Sequence, residues 1–251
     1  MFGTVTGPVE PVPWRLRVSL FDTSRADAMT ADLRGARGYP SAMPSGSESG
    51  CVLVVEGASD QLALETLAER RGLDLRAAGV SIAAMGGATN IRSFVERLGP
   101  HGLRLRLAGL CDAGEVADFR RALEGGGLGA HLDREGMEAL GFYACDVDLE
   151  DELIRALGVD AVLQVVEAHG ELGSFRTLQK QVAQLGRPVE SQLRRFLGSK
   201  SGRKLRYARL LVEALDLTKV PRPLDGVLSY ASAAATGDGL VQRLPTELHE
   251  R

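Results

Sequence analysis

Apolar positions follow two rhythms along the chain. Cys51-Val52-Leu53-Val54-Val55, Val80-Ser81-Ile82-Ala83-Ala84-Met85, Leu105-Arg106-Leu107-Ala108-Gly109-Leu110-Cys111 and Gly141-Phe142-Tyr143-Ala144-Cys145 are short, nearly continuous apolar runs. Such runs mark strands covered on both faces. Segments of helical period separate them, from Ser59 to Arg71, about Asn90 to Leu98, about Glu115 to Glu124 and from about Glu150 onward. Ser59 is the expected N-cap of the first helix and Gly72 its C-cap. Strands alternating with helices predict an α/β fold with a parallel sheet of about four strands. From Val159 onward the period is helical throughout, with Leu205, Ala208, Val212 and Leu215 expected as one buried stripe.

Upstream, the pattern weakens. Residues 1–50 hold five of the ten Pro, and Met43-Pro44-Ser45-Gly46-Ser47-Glu48-Ser49-Gly50 has linker composition. Trp14 to Phe21 alternates apolar and polar residues, as a strand would. The expected organisation is a flexible or partly ordered segment at 1–50, an α/β domain at 51–155, a helical region at 156–235 and a tail at 236–251.

Composition adds exclusions. The 251 residues are 44% hydrophobic and 25% charged, ordinary for a globular protein. No run approaches the length of a membrane-spanning helix. Three Cys, at 51, 111 and 145, match no zinc spacing and cannot all pair within the chain. A reducing cytoplasm and no membrane partner are the expectation. Gly125-Gly126-Gly127-Leu128-Gly129 follows a helix rather than a strand, so it reads as a turn and not a dinucleotide loop.

The candidate chemistry lies where the apolar runs end. In an open parallel sheet, ligands bind beyond the carboxyl ends of the strands. Here the first run ends in Glu56, the second in Gly86-Gly87 and the third in Asp112; Asp60 and Glu150 start the helices that follow the first and fourth runs. Any one such acid more often caps a helix or faces water. Gathered together they repel, by about 4 kcal/mol for two charges about 4 Å apart at an effective dielectric of about 20. A shared proton or a hard divalent cation relieves this, and oxygen donors without His favour Mg²⁺ or Mn²⁺.

Glu56-Gly57-Ala58-Ser59-Asp60, Gly86-Gly87-Ala88-Thr89-Asn90 and Leu110-Cys111-Asp112, in this order, resemble the Toprim (topoisomerase–primase) fold. They look most like the Toprim part of the overcoming-lysogenization-defect (OLD) nucleases, over about 51–155. A weaker similarity to that family's helical C-terminal region covers about 156–220. The resemblance implies a metal-dependent nuclease. Glu56, Asp60 and Asp112 would be metal ligands and Glu150 the ligand of a second ion, with Asp151 and Glu152 as competitors for that place. Lys204, or secondly Lys200, would stabilise charge at the scissile phosphate. Two departures stand out. Asp112-Ala113-Gly114-Glu115 lacks the second Asp of the Asp-x-Asp pattern common in Toprim proteins, so Glu115 could serve only if the turn relaxes. No ATP-binding Gly-x-x-x-x-Gly-Lys-Ser/Thr occurs, so ATP control is expected from another chain or not at all.

Charge asymmetry adds a polymer partner. Residues 112–171 carry fifteen Asp/Glu and four Arg, net −11, whereas 174–210 carry ten Lys/Arg and only Glu190, net +9. A polyanion-binding surface beside an acidic site is one reading, and two solvated faces is the other. Lys180, Arg187, Arg194, Arg195, Lys200, Arg203 and Arg206, with Arg176 and Arg209, are the expected phosphate contacts, with DNA favoured over RNA and cutting independent of sequence. Two alternatives stay open. One is a catalytically degenerate Toprim module that binds nucleic acid or a partner ATPase; the other is a small-molecule nucleotidyl or phosphoryl transferase. A homodimer is also left open.

Overall fold

Alternating side chains of four strands point to two different apolar layers, and this builds the molecule. The computed structural model describes residues 50–233. The expected strand at residues 14–21, most of the linker and the tail at 236–251 lie outside the described residues. Strands β1 (Cys51–Val55), β2 (Val80–Ala84), β3 (Arg106–Cys111) and β4 (Phe142–Ala144) form one parallel sheet in the order β2-β1-β3-β4. Helices α1 (Ala58–Arg70), α2 (Ile91–Leu98), α3 (Val116–Gly125) and α4 (Arg134–Ala139) accompany the strands. Helices α5 (Leu149–Leu157), α6 (Val159–Ala168), α7 (Leu172–Gln179), α8 (Val189–Leu197), α9 (Ser201–Ala214) and α10 (Arg222–Ala233) follow β4. The short α4 was absent from the sequence expectation; it starts at Asp133, whose carboxylate accepts the Gly136 N–H at 2.8 Å.

On one face, Cys51, Leu53 and Val55 of β1, Val80 and Ile82 of β2 and Ala108 and Leu110 of β3 join α1 and apolar residues from α5 to α10 in a single core. On the other, Val54, Leu107, Cys111, Phe142 and Ala144 pack with α2, α3 and α4. Both faces are dry, which explains the unbroken apolar runs. At Gly109 an added Cβ would lie 2.6 Å from the Phe142 ring, so β3 and β4 approach through the glycine. The first core runs without interruption from the sheet into the C-terminal helices. Arg70 at the end of α1 donates to the carbonyls of Val212 and Leu215 at 2.7 and 2.6 Å, filling acceptors that the end of α9 leaves open.

Local expectations shift in three places. The N-cap of α1 is Gly57, and Ser59 lies buried inside the first turn. The cap is completed by Asp60, whose Oδ2 accepts the Gly57 N–H at 2.9 Å. At the other end Arg71 is the C-cap, and Gly72 follows with φ +68°, where a side chain would be strained. On α9 and its C-cap the buried positions are Arg203, Tyr207, Ala208, Leu211, Val212 and Leu215, which include Ala208, Val212 and Leu215 of the expected stripe; Leu205 is 40% exposed and does not join it.

All three cysteines are free and buried. Burial pushes the Cys51 thiol up to about 11 and that of Cys111 to about 12, and raises Cys145 further. They behave as small apolar core residues. Among the described residues no helix is long and apolar enough to cross a membrane.

Candidate functional site

The glycines after β2 act on the backbone of Glu56. Gly86 (φ +72°) and Gly87 (φ +127°) fold back so that both N–H groups donate to the Glu56 carbonyl, at 2.9 and 3.1 Å. Asn90 Nδ2 holds this loop through the Met85 carbonyl at 2.8 Å. Only glycine adopts these angles cheaply, so Gly86-Gly87 fixes the end of β1 and the stem of Glu56.

Beyond β3, Ala113–Glu115 forms a tight 3-10 turn, closed by Glu115 N–H to the Asp112 carbonyl at 3.0 Å. Ala113 N–H donates to the Val147 carbonyl at 3.0 Å, tying this turn to the one after β4. Gly114 is exposed with open space around it. Glu115 is carried inward by the same turn and lies against Glu56, whose negative charge and carboxylate contact add to burial in raising the Glu115 carboxyl to about 7. Glu115 Oε2 is buried without a hydrogen-bond partner. The turn thus brings to the rim an acid that spacing alone placed out of phase.

Glu56, Asp60, Asp112, Glu115, Asp148 and Glu150 share one electrostatic neighbourhood, and Lys204 is the cation felt by Glu56, Asp60, Asp112 and Glu150. Burial, then the charges of Asp60, Asp148 and Glu56, push the Asp112 carboxyl up to about 7 against the pull of Lys204. Asp60, only 8% exposed, is raised by burial and by Glu56, while the Gly57 N–H and Lys204 oppose the shift. Glu150, 7% exposed, is raised mainly by burial and opposed by Lys204. Its Oε1 lies 3.5 Å from Lys204 Nζ and has no hydrogen-bond partner. Burial disfavours the Lys204 ammonium, yet Glu150, Asp60, Asp112 and Glu56 outweigh it and raise its pKa.

The acids after β4 divide by contact. Asp151 and Glu152 each pair with Arg155 at 2.8 Å, and Glu152 Oε1 also accepts the Asp146 N–H. Glu150 alone of the three faces Lys204. Asp148, which the sequence reading passed over, caps α5 through the Asp151 N–H at 2.9 Å and binds Arg194 Nε at 2.6 Å. An Asp three residues before Asp151 at a helix start was the available signal.

The basic segment divides likewise. Lys180, Arg187, Arg195 and Lys200 are exposed. Arg206 is exposed but pairs with Glu171 at 2.8 Å. Arg203 corrects the expectation of a phosphate contact: it is 8% exposed, bound to both Glu171 oxygens and Ser199 Oγ, and stacked 4.0 Å over the Phe196 ring. Its guanidinium is spent inside the helical region. Arg194, committed to Asp148, stands nearest the acids of this group, and Asp148, Asp151 and Glu150 hold its pKa up against burial.

As a metal site, this oxygen-only set suits a hard divalent cation, and the unpartnered Glu115 Oε2 and Glu150 Oε1 are buried acceptors that such an ion would satisfy. Among the described residues, no three His, Cys, Asp or Glu side chains are already spaced to hold an ion. The donors fit in chemical type, and they are not grouped around a common point.

Comparison with known proteins agrees with this geometry. Residues 49–113 match the family model of the overcoming lysogenization defect protein-like Toprim domain. Residues 49–113 thus resemble an OLD-like Toprim domain. The C-terminal region of the Xanthomonas campestris pv. campestris OLD protein superposes with a TM-score of 0.60 at 25% identity, covering 75% of this chain and 94% of that one. The C-terminal region of the Burkholderia pseudomallei OLD protein superposes with a TM-score of 0.55 at 20% identity, covering 75% and 100%. No curated protein sequence is detectably similar to the chain. The likeness to OLD proteins thus extends past the Toprim segment into the helical region.

Proposed function

We propose that this protein is a Mg²⁺- or Mn²⁺-dependent nuclease of Toprim type that cleaves nucleic-acid phosphodiesters, DNA by preference and without regard to sequence. One observation supports the reading: acids that follow three strands share the field of a single lysine, and burial with like charge pushes Asp112 and the neighbouring Glu115 up to about 7. Glu56, Asp60, Asp112 and Glu150 would hold the ions. A bound ion supplies charge neutralisation at the phosphate and a more acidic water. Glu115, placed beside Glu56, is suited to take up a proton near neutral pH. Lys204, kept charged by four acids, stabilises negative charge that builds on the phosphate oxygens. Lys180, Arg187, Arg195 and Lys200 hold the strand, with Arg206 and Arg194 joining if they exchange carboxylate for phosphate.

The degenerate-module alternative gains from the lack, among the described residues, of three acids grouped to hold an ion, and from Gly114. Supercoiled plasmid incubated with Mn²⁺ separates the two. The wild type should nick or degrade it, and Glu56→Ala should lower the rate by about 100-fold or more. Equal cleavage by the variant, or none by the wild type together with no Mn²⁺ heat in titration calorimetry, would sink the nuclease reading.

A further inference from the structure

Away from the acidic rim lies a cleft of about 560 Å³ walled by cations from four places in the chain. Arg134 comes from α4, Arg155 from α5, Lys219 from the turn before α10 and Arg222 from the first residue of α10; Pro221 and Pro223 stiffen one wall. Asp146 is the centre of the arrangement. Its Oδ1 lies 3.2 Å from Arg134 and its Oδ2 3.2 Å from Arg155, so one carboxylate bridges guanidiniums of two helices. Its side chain is nevertheless 56% exposed. Glu138 pairs with Arg222 and Arg134 from below, and Glu152 pairs with Arg155. Arg155 also pairs with Asp151 at 2.8 Å, so four cations face four acids. Lys219 is exposed; its charge is felt by Asp216, but the two form no close ion pair.

We propose that this cleft binds a phosphate group, with Asp146 occupying the position of that group when the cleft is empty. A phosphate offers three oxygens and up to two charges where Asp146 offers two oxygens and one, and arginine forks match it in geometry. The volume suits a nucleotide-sized ligand. The cleft is linked to the acidic rim along the chain: the turn containing Asp146 bears Asp148 two residues on, and its Val147 carbonyl holds the Asp112 turn. A strand threading the rim could place its terminal phosphate here. That source rests on the nuclease reading; the phosphate site itself does not, because a free phosphate compound would use the same groups.

The test is binding in EDTA, where no cleavage occurs, on the full chain. Pyrophosphate should raise the melting temperature of the wild type and not that of Lys219→Ala/Arg222→Ala, whose side chains lie at the surface. Asp146→Asn, which removes the internal occupant, should tighten pyrophosphate binding. If the strand is the source, 5′-phosphorylated oligonucleotide should bind the wild type better than its 5′-hydroxyl counterpart. The double variant should lose that preference and about tenfold in affinity. Loss of the pyrophosphate response with unchanged oligonucleotide binding would assign the site to a free phosphate compound. No pyrophosphate response in either the wild type or Asp146→Asn would overturn the proposal. The pyrophosphate response is read without metal or cleavage, so an inactive rim leaves the result standing.

Discussion

Asp112 and Glu115 both titrate at about 7, well above ordinary carboxyls, and this gives a pH effect with a definite sign. The folded state binds more protons than the unfolded one between the ordinary carboxyl range and about 7, so these groups lower stability as pH rises through that window. In EDTA the melting temperature should therefore fall between pH 5 and pH 8, and Asp112→Asn should flatten the slope. Mn²⁺ should stabilise more at pH 8 than at pH 5.5, since protonated carboxyls do not ligate. A melting temperature that rises with pH in EDTA and is insensitive to Asp112→Asn would contradict the assignment. Glu171 has the opposite sign: burial opposes its charge, but Arg203, Arg206 and Tyr207 hold it down to about 2, so its contribution is lost only in acid, below its ordinary value.

At the scale of elements, α9 connects the two halves of the argument. Its inner face is core, its first turn holds Lys204 toward Glu150, and Arg203 beside it anchors to Glu171. Removing one member of a mostly buried pair leaves the other uncompensated. Glu171→Ala should cost about 3 kcal/mol in urea denaturation, whereas Glu171→Gln with Arg203→Met should recover most of it. Equal losses in the single and double variants would show that the pair is not what anchors the helix. Between β3 and β4, Gly109→Ala should cost about 1–3 kcal/mol, because its Cβ would meet the Phe142 ring at 2.6 Å.

For the whole molecule, net charge misleads about the polyanion surface. Ten cations fall within 174–210, but Glu171 engages Arg203 and Arg206, Asp148 engages Arg194, and Glu213 engages Arg209. Arg176, Lys180, Arg187, Arg195 and Lys200 are left as exposed cations without an ion pair among the described residues. If these five make the phosphate contacts, log K for duplex binding should fall against log salt with a slope of about −4.5, rather than about −9 for the full set. Fluorescence anisotropy between 50 and 300 mM salt reads this directly. A flat response would remove the basic segment from the nucleic-acid surface.

The sequence alone carried the strands, their parallel class and the positions of Glu56, Asp60 and Asp112 at the ends of the apolar runs. Continuous apolar runs, and the acids that end them, are local patterns set by burial on both faces. It did not carry the direction of Glu115, which depends on a 3-10 turn fastened to the Val147 carbonyl more than thirty residues away. Nor did it carry the choice of Glu150 over Asp151 and Glu152, which Arg155 decides, or the withdrawal of Arg203 into the core. Residue type fixes which charges exist. Which of them face solvent, each other or a ligand depends on partners distant along the chain, and only tertiary packing brings those together.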